Sequence, residues 1–136
     1  MWMEGRDKMP DSEKITINMS AVDLGKVDLL VQEGLYSNRT DFIRTAIRSQ
    51  LDKHNLEIQQ SVLRNSYVIG ALSYDRSDLE KRKRKGEKLT ITILGLLHLH
   101  DDISAELAAE VIESIKLLGI FIASNEVKAA LAGRMK

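Results

Sequence analysis

Polar and apolar positions alternate strictly over residues 14–19, KITINM. Ile15, Ile17 and Met19 point one way, and Lys14, Thr16 and Asn18 the other. A period of two marks a half-buried β-strand. The pattern then turns helical. Ser20 stands where a helix N-cap is wanted, with Asp23 three residues on as its capping-box acid. Val22, Leu24, Val27, Leu30 and Val31 form an apolar stripe down to Gly34, which suits a left-handed C-cap. Asn38 opens a second such unit with Asp41 three residues later, and Phe42, Ile43, Ala46, Ile47 and Leu51 continue at helical spacing. The order is strand, helix, helix. A lone short strand leaves its backbone groups and its apolar side uncovered. Its simplest partner is the same strand of a second chain, paired antiparallel about a two-fold axis.

Beyond residue 67 the pattern predicts strands again, first YVIGALSYD, then a charged turn or short helix, then a longer apolar strand. ITILGLLHLHDDISAEL (91–107) aligns without gaps to IKLLGIFIASNEVKAAL (115–131), a shift of 24 residues. Gly95 falls on Gly119, Ile103 on Val127 and Leu107 on Leu131, and Gly70 echoes the glycine at a similar distance upstream. Strands at fixed period with a recurring glycine suggest stacked units, as in a short β-solenoid. The rival is an α+β sandwich, because SAELAAEVIESI fits a helix. The fold class expected is therefore α+β: a flexible arm over 1–13, a strand-helix-helix domain over 14–60, and a small strand-rich domain over 67–136.

Composition narrows the function. The chain has 136 residues, 43% of them hydrophobic and 29% charged, which suits a folded globular protein. There is no cysteine, so disulfides, thiolate chemistry and cysteine-bound zinc are excluded and a reducing cytoplasm is expected. No apolar run approaches the roughly 20 residues that cross a bilayer, and the charged, Met-rich start has no signal-peptide core. No phosphate loop or nucleophile elbow is present, so neither an enzyme nor a cofactor is expected. The formal net charge is zero. Any affinity for nucleic acid must then come from local geometry.

The strand supplies such geometry. In a two-chain ribbon its apolar side packs on the helices, and Lys14, Thr16 and Asn18 of each chain face outward. A two-stranded ribbon fits the DNA major groove. Lysine can donate to guanine O6 and N7, asparagine can bridge adenine N6 and N7, and threonine can meet a thymine methyl or a base edge. The N-terminus of the second helix, at Asn38, Arg39 and Thr40, offers unpaired amides and the positive end of the helix dipole to a phosphate.

Residues 13 to 55 resemble the ribbon-helix-helix family of bacterial and archaeal DNA-binding proteins, especially the CopG-like repressors. The resemblance rests on KITINMS as the ribbon, VDLLVQEGLYSNRTDFIRTAIRSQL as the helix pair, and the G…SNRTDFIR junction. It implies base contacts from Lys14, Thr16 and Asn18 and phosphate contacts from Asn38, Arg39 and Thr40. It also implies double-stranded DNA as partner, a homodimer through the strand, and transcriptional regulation, with repression the expected outcome. Residues 1–60 depart from it in holding more acids than bases, which weakens non-specific attraction to DNA and favours several dimers acting together. Higher homo-oligomers through the C-terminal domain are expected on that ground.

Three alternatives use the same residues. The chain could be the antitoxin of a toxin–antitoxin pair, or a DNA-coating assembly protein joined head to tail through its repeats. It could also be a metal-responsive regulator. For the last, His98 and His100 share one side of a strand and could chelate a divalent ion. LLHLH looks like the His-x-His strand of a nickel-responsive regulator in that family, which also uses a cysteine ligand that this chain lacks. The aligned repeat puts Ile122 and Ser124 at those positions, so no metal is expected. The basic run KRKRKGEK (81–88) is expected to be a solvated turn.

Overall fold

The computed structural model describes residues 12–136, so most of the expected arm, residues 1–11, lies outside the described residues. The described chain is α+β, with six α-helices and a three-stranded parallel sheet, and it divides into two compact units, 14–64 and 65–136.

The first unit holds the segment 14–20, which belongs to no sheet among the described residues, followed by α1 (Ala21–Gln32), α2 (Arg39–Lys53) and most of α3 (Asn55–Asn65). Val27 is the one buried residue of this unit. Ile15 and Ile17 are 73% and 62% exposed, and Val22, Leu29, Ile47 and Leu51 are exposed as well. Burying an aliphatic side chain is worth roughly 1.5–3 kcal/mol. A unit that forgoes this at so many positions lacks a core of its own.

The second unit alternates strand and helix: β1 (Val68–Tyr74), α4 (Arg76–Arg84), β2 (Leu89–Leu99), α5 (Ala105–Val111), β3 (Ile112–Ile122) and α6 (Asn125–Leu131), ending in the 3-10 turn Ala132–Arg134. The sheet order is β1-β2-β3, with both pairs parallel. Each helix starts at a side-chain cap. Asp75 and Asp78 form a reciprocal capping box, Ser104 accepts from the Leu107 amide at 3.1 Å, and Ser124 accepts from the Val127 amide at 3.2 Å. Leu79, Leu107, Val111, Val127 and Leu131 from the helices pack with Ile91, Ile93, Leu97, Ile112 and Ile115 into one buried cluster. β2 reads as a nearly continuous apolar run, as the central strand of a parallel sheet should.

The glycine part of the repeat is real: Gly70, Gly95 and Gly119 are register partners across the three strands. The gapless alignment fails after it. His100 to Ile103 separate β2 from the Ser104 cap, whereas Ala123 alone separates β3 from the Ser124 cap. The helices therefore match Ser104 with Ser124 and Leu107 with Val127, not Ile103 with Val127. Two serine caps fix this offset more strongly than the apolar matches that suggested 24 residues throughout. The basic run also differs from a turn: Lys81 to Arg84 form the last turn of α4, where cations complement the helix dipole.

Candidate nucleic-acid interface

The helix pair is built by its caps. Ser20 has extended backbone, and its hydroxyl accepts from the Asp23 amide at 3.1 Å. α1 stops at Gly34, whose φ of +84° places it in the left-handed region. The Leu35 amide donates to the Leu30 carbonyl and the Gly34 amide to the Val31 carbonyl, both at 3.0 Å. This is the double closure of a Schellman turn, and it sends the chain back toward α2. Tyr36 and Phe42 then meet edge to face across the junction, with ring centroids 5.0 Å apart.

Asn38 caps α2, its side-chain oxygen accepting from the Asp41 amide at 2.8 Å. The Asp41 carboxylate accepts from the Ser37 amide at 2.9 Å, one residue before the capping-box position. The amides of Arg39 and Thr40 have no protein acceptor among the described residues. They are the free donors of the first turn, at the positive end of a 15-residue helix. An anion fits there on backbone grounds alone.

Arg39 is engaged elsewhere. Its Nε and Nη2 donate to the two carboxylate oxygens of Asp28, both at 2.8 Å, so the guanidinium ties α2 to α1 in a bidentate pair. That hydrogen bond, more than the charge itself, holds the Asp28 carboxyl below its ordinary value and raises Arg39. Sequence patterning did not reveal this pair. Eleven positions separate the residues, and only the Gly34 turn brings them together.

Lys14, Thr16 and Asn18 lie on the uncovered segment and are all exposed. Beside that segment Met19, Val27, Leu30 and Phe42 line a shallow apolar groove, edged by Asp23 and Lys26. The six candidate residues thus fall in one unit: three on the segment, three at the start of α2.

The histidines lie in the other unit. Their rings stack with centroids 4.3 Å apart and planes 22° from parallel. His100 Nε2 is 2.8 Å from the Ser73 hydroxyl, and its backbone amide donates to the Tyr74 carbonyl. Burial, with the neighbouring His100, lowers the His98 pKa from 6.5. Among the described residues no three His, Cys, Asp or Glu side chains gather as metal ligands. Part of the basic run is tied to its own unit, Lys83 pairing with Glu110 at 3.1 Å and Arg82 lying 5.9 Å from the Tyr74 ring centre. Among the described residues no helix is long and apolar enough to cross a membrane.

A family model described as the Ribbon-Helix-Helix transcriptional regulator family matches residues 10–128. The match covers the segment, the helix pair and the sheet through β3. No curated protein and no solved structure matches the chain.

Proposed function

The chain belongs to the ribbon-helix-helix transcriptional regulator family, and on that premise we propose that it is a sequence-specific DNA-binding repressor acting as a cytoplasmic homodimer, without enzymatic activity. Regulators of this family bind DNA and usually dimerise. The observation that carries the reading is the state of residues 14–19. They alternate in chemistry, pair with no strand among the described residues, and leave Ile15 and Ile17 exposed. A second copy supplies both missing partners, a strand for the backbone and a helix pair for the apolar side.

The paired ribbon then presents Lys14, Thr16 and Asn18 twice, related by the two-fold, to the floor of the major groove. At either end the free amides of Arg39 and Thr40 receive a phosphate, with Asn38 holding the turn that aims them. Arg39 serves this site indirectly, tying α2 to α1 through Asp28.

Selection of bound sequences from a random pool, followed by titration, tests the assignment. The native protein should yield a site with two-fold symmetry. Lys14→Ala and Asn18→Ala should each relax preference at one position per half-site, by about 5- to 150-fold, the equivalent of about 1–3 kcal/mol per base contact. Arg39→Ala should weaken all sequences alike. Unchanged preferences in the Lys14 and Asn18 variants would show that this face does not read DNA.

A further inference from the structure

Among the described residues, every large hydrophobic side chain that the second unit leaves exposed lies at an edge of its sheet. Val68 (49%) and Ile69 (63%) are on β1, Leu118 (56%) is on β3, and Met135 bridges to β3 at Ile115. An open edge is a template for another strand, and proteins usually blunt it with charge or proline. β1, VIGALSY, has neither.

The glycine row shows what each edge is shaped for. Gly70, Gly95 and Gly119 share one register line and have φ of +133°, +144° and +128°. A Cβ on Gly95 would lie 2.0 Å from the Gly70 carbonyl oxygen, and one on Gly119 would lie 2.0 Å from that of Gly95. Each of these glycines is required because the carbonyl of the preceding strand presses on it. Gly70 has the same left-handed conformation, yet among the described residues nothing lies within 4 Å of where its Cβ would be. It is a receiving glycine without a carbonyl. Gly119 is the reverse, a carbonyl in the same row with no strand beyond it among the described residues.

We infer that β1 of one copy pairs in parallel with β3 of a second copy, seating Gly70 on the Gly119 carbonyl and carrying the sheet from subunit to subunit. Continuing the register places Val68 beside Leu117, Ile69 beside Leu118 and Ala71 beside Ile120. The exposed Ile69 and Leu118 then cover each other on one face. The Lys136 amide donates to the Ile115 carbonyl at 2.7 Å, on the β3 edge two positions before Leu117. The contact between copies uses a different edge on each, so it propagates into rings or filaments and does not close as a two-fold pair. It goes beyond the DNA-binding reading and rests on it only for the ribbon dimer taken as the baseline size in sedimentation; the disulfide test needs no such baseline.

Sedimentation velocity of the full chain tests the size. The native protein should exceed a dimer. Ile69→Lys and Leu118→Glu should each reduce it to a dimer, and both should keep the thermal transition of the sheet unit, since the two positions are solvent-exposed in the single subunit. The double variant Ile69→Lys/Leu118→Glu places opposite charges across the junction and should restore the larger species. Because the chain has no cysteine, Ala71→Cys/Ile120→Cys gives an independent readout. Within one subunit these strands are two apart, about 9–10 Å, beyond the roughly 7 Å that a disulfide spans. Oxidation should produce a ladder of covalent trimers and larger species on a denaturing gel. A native protein that stays dimeric at every concentration, single-charge variants of unchanged size, or oxidised protein showing only monomer or dimer bands would each overturn the inference.

Discussion

The two units solve the burial problem in opposite ways. Residues 65–136 close a core within one chain, running from Leu79 through Ile93 and Ile115 to Leu131, all fully buried. Residues 14–64 bury Val27 and little else, and hold their shape through caps, a Schellman turn and one bidentate ion pair. The first arrangement makes a folded subunit with optional contacts at its edges. In the proposed dimer the second would make association a condition of folding, because its uncovered aliphatic surface would have to find a partner before the helices gain anything by packing.

If that contrast holds, each unit should fail alone. Ile15→Lys/Ile17→Lys would place four unpaired charges in the apolar side of the proposed ribbon. Helicity from residues 21–64 should be lost and DNA binding should fall at least about a hundredfold, since an unpaired buried charge costs several kcal/mol. Circular dichroism and limited proteolysis should show the sheet unit intact. Gly95→Val should do the converse. Strain at φ +144° and collision with the Gly70 carbonyl should cost the sheet unit about 2–6 kcal/mol, from backbone strain and overpacking of about 1–3 kcal/mol each. Chemical denaturation would show this while the N-terminal contact survives.

Smaller effects separate the units further. Asp28→Asn removes the pair with Arg39 and should lower the melting temperature of the N-terminal unit modestly, the difference fading at high salt. The Asp28 pKa lies below its ordinary 3.8 because Arg39 hydrogen-bonds the carboxylate. The pair therefore contributes at neutral pH, and its contribution is lost only as the pH falls through that lowered value. His98 behaves differently. Burial lowers its pKa from 6.5 in the folded state, so the unfolded chain takes up the proton first. The sheet unit should lose stability as the pH drops below about 6.5, and His98→Gln should flatten that dependence. Melting curves at a series of pH values read both.

Much of this was legible in the residues. KITINM followed by the Ser20 and Asn38 caps and by Gly34 spelled out the helix pair, because capping and turn chemistry act within a few positions of the chain. The Asp28–Arg39 pair was not legible, since no local rule says which carboxylate faces which guanidinium across a turn. The repeat was half legible. Its glycines are fixed by backbone contact between strands, which leaves an invariant mark at each strand. Its helices are fixed by Ser104 and Ser124, which a gapless alignment passes over. For the basic run the sequence left a charged turn or a short helix open: Lys81 to Arg84 end α4, where cations suit the helix dipole, and residues 85–88 leave the helix.

The Asp28–Arg39 pair has one further consequence for the proposed DNA complex. A cation already neutralised by its own protein displaces no condensed ion when it nears a phosphate, and the amides beside it never carried one. Counterion release, which governs how steeply most such complexes weaken with added salt, should then draw on few groups per subunit. Operator occupancy should therefore fall less steeply with ionic strength than in a complex built on free surface cations, with Lys14 of each chain still contributing.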